Sequence, residues 1–156
     1  MKRQRQTPTR DELRIWRAYV ETSEALRSRL ANRLQNESSL SSGDYQVMLA
    51  LSEADGRSLR SAELADAVDW ERSRLSHHLG RMERRGLIRR SRCPDNAHGV
   101  DVLLTDEGYQ AFRAGSIPHL RAVRELFIDA LSPDELVQVE QVTAAIRRHL
   151  GLDTGH

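Results

Sequence analysis

Apolar positions along the chain set out an order of elements before any chemistry is considered. Between residue 11 and about residue 36, Leu13, Trp16 and Val20 recur at one spacing, and Ile15, Tyr19, Leu26, Leu30 and Leu34 continue a neighbouring stripe. That pattern predicts a long helix with two apolar stripes, and so two contacts. Ser41 or Ser42 is placed to cap a second helix, with Asp44 at its positive end and Tyr45, Met48, Leu49 and Leu51 on its buried side. The run from Ala54 to Arg57 ends it, because Asp-Gly favours a turn. Ser61 is expected to cap a short helix carrying Leu64, Ala65 and Val68. After Asp69 and Trp70 a further helix is predicted from about Glu71 to Arg85, closed by Gly86.

Leu87 to Cys93 and Val100 to Leu104 read as two strands joined by a turn at Pro94 to Gly99. Thr105 can cap the next helix, with Asp106 and Glu107 in its first turn; it is predicted to kink at Pro118 and to run on through Leu131. Ser132 and Glu135 form a capping box around Pro133 and start a last helix marked by Leu136, Val139, Val142, Ile146 and Leu150. The fold class expected is mainly α with a small β-hairpin.

The helix after Trp70 has two unlike faces. At about 100° per residue, Leu75, Leu79 and Met82 point one way, and Ser73, His77, Gly80, Arg81 and Arg84 point the other. A polar, basic face broken by small residues suits a helix that enters the roughly 12 Å major groove of DNA.

Charge sharpens this reading. The 156 residues carry 24 Lys and Arg against 23 Asp and Glu, a net +1 that excludes a uniformly basic coat. Residues 57–92, however, hold ten Arg against five acids, about +5, and residues 99–156 hold five against nine, about −4. Lys2 is the sole lysine, a bias that a GC-rich genome also produces, so Arg richness alone carries little weight. The single Cys93 excludes an internal disulfide framework and a thiolate-rich zinc site. No apolar run is long enough to span a membrane and no signal-peptide pattern opens the chain, so a cytoplasmic protein without a membrane partner is expected.

Residues 61–65, the run from Ser73 to Arg90, and Leu104-Thr105-Asp106-Glu107-Gly108 together resemble the MarR family of winged helix-turn-helix transcription regulators. The most specific matches are the "hxRhExxGLh" ending of the recognition helix, residues 79–88, and "LTxxG" after the wing. The resemblance implies a winged helix-turn-helix domain at residues 41–105, flanked by dimerisation helices at 11–40 and 106–150, with tails at 1–10 and 151–156. It also implies a homodimer on a pseudo-palindromic operator, with double-stranded DNA as partner and repression as the expected outcome. Ser73, Ser76 and His77 then correspond to base-reading positions and Arg81 to a backbone-contacting arginine. Arg74 and Arg84 are phosphate partners by angle alone. The wing departs from the family's Asp-x-Arg-Gly: residues 96–99 here are Asn, Ala, His and Gly, so His98 replaces the arginine that enters the minor groove. A small-molecule effector, if used, would meet Trp16, Tyr19, Tyr45 and Met48, which otherwise read as core.

Other chemistry is weaker. His77 and His78 point about 100° apart on a helix and cannot share a metal ion, so neither a metal nor another cofactor is expected. His78 falls at the edge of the buried face and reads as a packed or hydrogen-bonded residue. Cys93, beside Arg92 and near Arg90, suggests a lowered thiol pKa and a redox-sensing alternative. A helical adaptor that binds only protein is the other alternative, and it leaves the basic face unexplained. No phosphate loop, nucleophile elbow or metal motif supports an enzyme.

Overall fold

The structure is a computed structural model that describes residues 7–95 and 99–152. The chain divides into two compact units, one of residues 27–120 and one drawn from residues 1–26 and 121–156. Helix α1, Arg10–Ser38, begins and ends within two residues of its predicted limits. A capping box starts it: the Thr9 hydroxyl accepts from the Glu12 N–H, and the Glu12 carboxylate accepts from the Thr9 N–H.

The unit of residues 27–120 holds nearly the whole core. Helix α2, Ser42–Glu53, is capped by Ser41, the first of the two serines predicted for the role. Helices α3, Ser61–Val68, and α4, Arg72–Arg84, follow as a helix-turn-helix pair joined through Asp69, which adopts the left-handed conformation. Val47, Met48 and Leu51 of α2 pack with Leu64 and Val68 of α3 and Leu75, Leu79 and Met82 of α4, all essentially without solvent contact. Each contributes about 1.5–3 kcal/mol by leaving water. Leu34 from the end of α1 and Leu40 from the following loop seal the cluster.

Strands β2, Ile88–Arg92, and β3, Val100–Leu104, form the expected hairpin, with Ile88 opposite Leu104 and Arg92 opposite Val100. A third strand, β1 at Ser58–Arg60, pairs antiparallel with the other edge of β3, giving the order β1-β3-β2. Three residues are too few to display alternation, so β1 is invisible to periodicity and exists because β3 offers an open edge. It also displaces the expected cap of α3. Arg60, not Ser61, is the cap residue, and its N–H is satisfied by the Glu63 carboxylate.

Helix α5, Asp106–Leu126, starts at Thr105, whose hydroxyl accepts from the Gly108 N–H. It runs through Pro118 unbroken but ends before Leu131, because Phe127 leaves helical backbone at φ −127° and a 3₁₀ turn follows at Ile128–Ala130. Helix α6, Pro133–His149, opens with the predicted Ser132–Glu135 capping box. No residue of α6 is buried, and Val139, Val142 and Ile146 stand exposed on it.

Candidate nucleic-acid interface

Helix α4 divides as its sequence predicts. Leu75, Leu79 and Met82 are buried, whereas Ser73, Arg74, Ser76, His77, Arg81 and Arg84 are all exposed on one helix. The two arginines of the last turn, Arg81 and Arg84, also lie at the negative end of the helix dipole.

The motif residues at the end of α4 each have a structural task. Gly86 takes φ +75°, and the bonds from its N–H to the Glu83 carbonyl and from the Leu87 N–H to the Met82 carbonyl complete a Schellman stop. Glu83 turns toward the wing, where it accepts from the Arg90 N–H at 2.8 Å and from the Arg90 guanidinium at 3.1 Å. The backbone bond foremost, then the guanidinium, outweigh partial burial and hold the Glu83 carboxyl below its ordinary range. Strand β2 is thereby tied to α4, and Arg90 further donates to the Ser76 carbonyl.

The Thr-x-x-Gly pair after the wing meets the same corner. The Thr105 hydroxyl donates toward the Gly86 and Leu87 carbonyls. A side chain at Gly108 would collide with the Leu87 carbonyl oxygen, so only glycine allows α5 to begin against the Gly86–Leu87 turn. The two motifs, about twenty residues apart in sequence, are two sides of one joint.

Behind α4 lies the one buried charged residue among those described. Asp44 is 3% exposed, and both its oxygens are engaged. Oδ1 accepts from His78 Nε2 at 2.9 Å; Oδ2 accepts from Arg85 at 2.7 Å and from the Ser41 N–H at 3.0 Å. Burial by itself would push the Asp44 carboxyl up, but the bonds from His78, Arg85 and Ser41, together with the Arg85 charge, outweigh it and hold the group well below the usual carboxylate range. Arg85 continues to the Ser39 carbonyl, and Arg81 donates to His78 Nδ1 at 3.0 Å. Trp70 packs edge-on against His78 and carries the Arg74 guanidinium 4.1 Å above its ring. His78 thus serves as the packed, hydrogen-bonded residue expected of it, and Trp70 packs against its ring. Asp44, Glu83, Arg85 and Arg90 were not singled out as site residues from sequence, since their partners lie on other elements; Asp44 showed only its favourable place in the first turn of α2.

Cys93 overturns one expectation. The residue is 6% exposed, and its thiol donates to the Asp101 carboxylate at 3.0 Å. That bond, burial and the Asp101 charge push the thiol up, with Arg60 opposing weakly. Arg90 is engaged by Glu83 and Arg92 is exposed, so neither sequence neighbour supplies the positive field that a low thiol pKa needs.

The remaining candidates are dispersed. Trp16 and Tyr19, 62% and 54% exposed, lie on α1 in the unit of residues 1–26 and 121–156. In the other unit Met48 is fully buried, and Tyr45 is half-buried against Phe112 and His119. His119 Nδ1 is buried without a partner there, and burial pushes its pKa down. His98 lies outside the described residues. Among those described, no group of three His, Cys, Asp or Glu is placed to hold a metal ion, and no helix is long and apolar enough to cross a membrane.

The sequence profile described as MarR family matches residues 38–97, which contain α2, α4 and the joint at Gly86. The transcriptional regulator HosA of Escherichia coli O111:H- is 34% identical over 96 residues, covering 62% of this chain and 69% of that protein. The crystal structure of AbsC, a MarR family transcriptional regulator from Streptomyces coelicolor, superposes with a TM-score of 0.85 at 34% identity over 94% of this chain and 98% of that one. The chain belongs to the MarR family of transcriptional regulators. A second MarR family regulator from Streptomyces coelicolor, Sco3205, was crystallised in complex with DNA; it has a TM-score of 0.86 and 33% identity over 94% of this chain and 92% of that one. The MarR fold accounts for the winged helix-turn-helix read from sequence, including the small sheet with its third strand.

Proposed function

We propose that this protein is a DNA-binding regulator that acts as a homodimer on a pseudo-palindromic operator, most simply as a repressor. The observation that carries the reading is the exposed face of α4, where Ser73, Arg74, Ser76, His77, Arg81 and Arg84 stand together above a fully buried apolar face. Ser73, Ser76 and His77 are assigned to base edges, and Arg74, Arg81 and Arg84 to phosphate. The DNA complex formed by Sco3205, one third identical to this chain, supports DNA as the partner. His98 is assigned to the minor groove from sequence alone. The apolar side chains that α6 leaves exposed support a second copy as the partner that covers them. Modulation by a small molecule completes the reading, with Trp16 and Tyr19 on α1 and Tyr45 on α2 as aromatic candidates.

The deciding experiment is selection from random-sequence duplex DNA followed by sequencing, at about pH 6 and pH 8 to compare the contribution of histidine charge, with mass measured in parallel. Enrichment of a pseudo-palindrome by a dimer is expected, with affinity falling steeply as salt rises. Arg81→Ala should weaken specific and non-specific binding alike, and His77→Ala should chiefly relax sequence preference. No enrichment in either buffer would return the weight to a protein-binding adaptor.

A further inference from the structure

The Arg81 guanidinium has only N–H groups to offer, so its 3.0 Å bond to His78 requires Nδ1 to be unprotonated. The imidazole proton then sits on Nε2, where it donates to the buried Asp44 carboxylate at 2.9 Å. The partners on either side therefore set the tautomer of His78.

The ring is fixed as firmly as its protons. Asp44, at the start of α2, is anchored by the Ser41 N–H and by Arg85. Trp70 stands edge-on to the imidazole at 5.1 Å between centroids, with Arg74 stacked on the indole. A side chain at Gly43 would come within 2.8 Å of His78 Cε1 and 2.9 Å of Trp70 Cη2, so the first turn of α2 presses directly on both rings. Asp44 from α2, Arg81 from α4, Arg85 at the C-terminal cap of α4, and Arg74 through Trp70 are the charged groups gathered around His78.

We infer that His78 is a positioning residue for DNA binding, one that presets the exposed Arg81 guanidinium through a relay running from buried Asp44 to the surface of α4. The inference rests on the assignment of Arg81 to phosphate. An arginine left free on a helix surface must give up rotamer freedom when it takes a phosphate. The acceptor at Nδ1 holds one edge of the guanidinium before DNA arrives, so the ordering is done at folding.

Two substitutions separate the two nitrogens. His78→Gln keeps a donor within reach of Asp44 but removes the acceptor that Arg81 uses; His78→Asn keeps an acceptor at the place of Nδ1. Binding of a random-sequence duplex pool, read by fluorescence anisotropy at pH 7.5 and moderate salt, suits a backbone contact that does not depend on the operator. His78→Gln is expected to weaken binding about three- to tenfold, and His78→Asn to restore most of that loss. In an Arg81→Ala background, His78→Gln should cost nothing further, which a merely structural role for His78 would not produce. Nitrogen-15 NMR of the imidazole should show the proton on Nε2. Equal losses from His78→Gln with and without Arg81, or a proton found on Nδ1, would overturn the inference while leaving the DNA reading intact. Failure of the wild-type protein to bind any duplex would overturn both.

Discussion

Gly108 shows how much a single residue can decide in this chain. Its Cα lies against the Leu87 carbonyl, the same carbonyl that the Thr105 hydroxyl addresses, so a methyl group has nowhere to go but into backbone. Gly108→Ala is expected to destabilise the protein by about 2–3 kcal/mol, as overpacking does, measured by urea unfolding. A change within experimental error would mean that α5 can shift away from the turn without loss. The spacing of this motif was plain in the sequence; its purpose was not, because the clashing atom belongs to a residue on the far side of the wing. Cys93 teaches the reverse lesson. Its neighbours in sequence suggested an activated thiol, but the side chain turns to Asp101 across the hairpin.

Among the elements, the start of α2 and the body of α4 depend on one another through Asp44. Its carboxyl lies below its ordinary value of 3.8 when folded. Such a group contributes its stability in full above the ordinary value and loses it as the pH falls toward the folded one. Asp44→Asn is expected to cost about 3 kcal/mol at neutral pH, as removal of one partner from a buried ion pair does. The gap to wild type should then narrow in urea titrations below about pH 4. A gap that stays constant with pH would show that the geometry of the capping box, not the charge, is what matters. Most elements were legible in advance: the limits of α1, the Ser41 and Ser132 caps, the two faces of α4 and the hairpin all follow from local spacing. Strand β1 and the true cap of α3 were not, since both depend on the open edge of β3.

For the whole molecule, α6 raises the question of a partner. It keeps Val139, Val142 and Ile146 exposed while burying none of its residues in the single chain. Val139→Asp is therefore expected to leave the fold of one chain intact, because the side chain is already solvated, and to abolish self-association, because a buried unpaired charge costs several kcal/mol. Sedimentation velocity with circular dichroism checks both halves; a stable mutant dimer would place the seam elsewhere. What the sequence by itself determined is whatever repeats at helical spacing or is written in a cap: the helix order, the basic outward face of α4 and the family motifs. Only the tertiary structure decided which groups meet across elements, namely Asp44 with His78 and Arg85, Glu83 with Arg90, and Cys93 with Asp101. The reason is physical. Periodicity reports which face of an element is dry, whereas the partner of a charge is set by the register and approach of a second element, which no local spacing encodes.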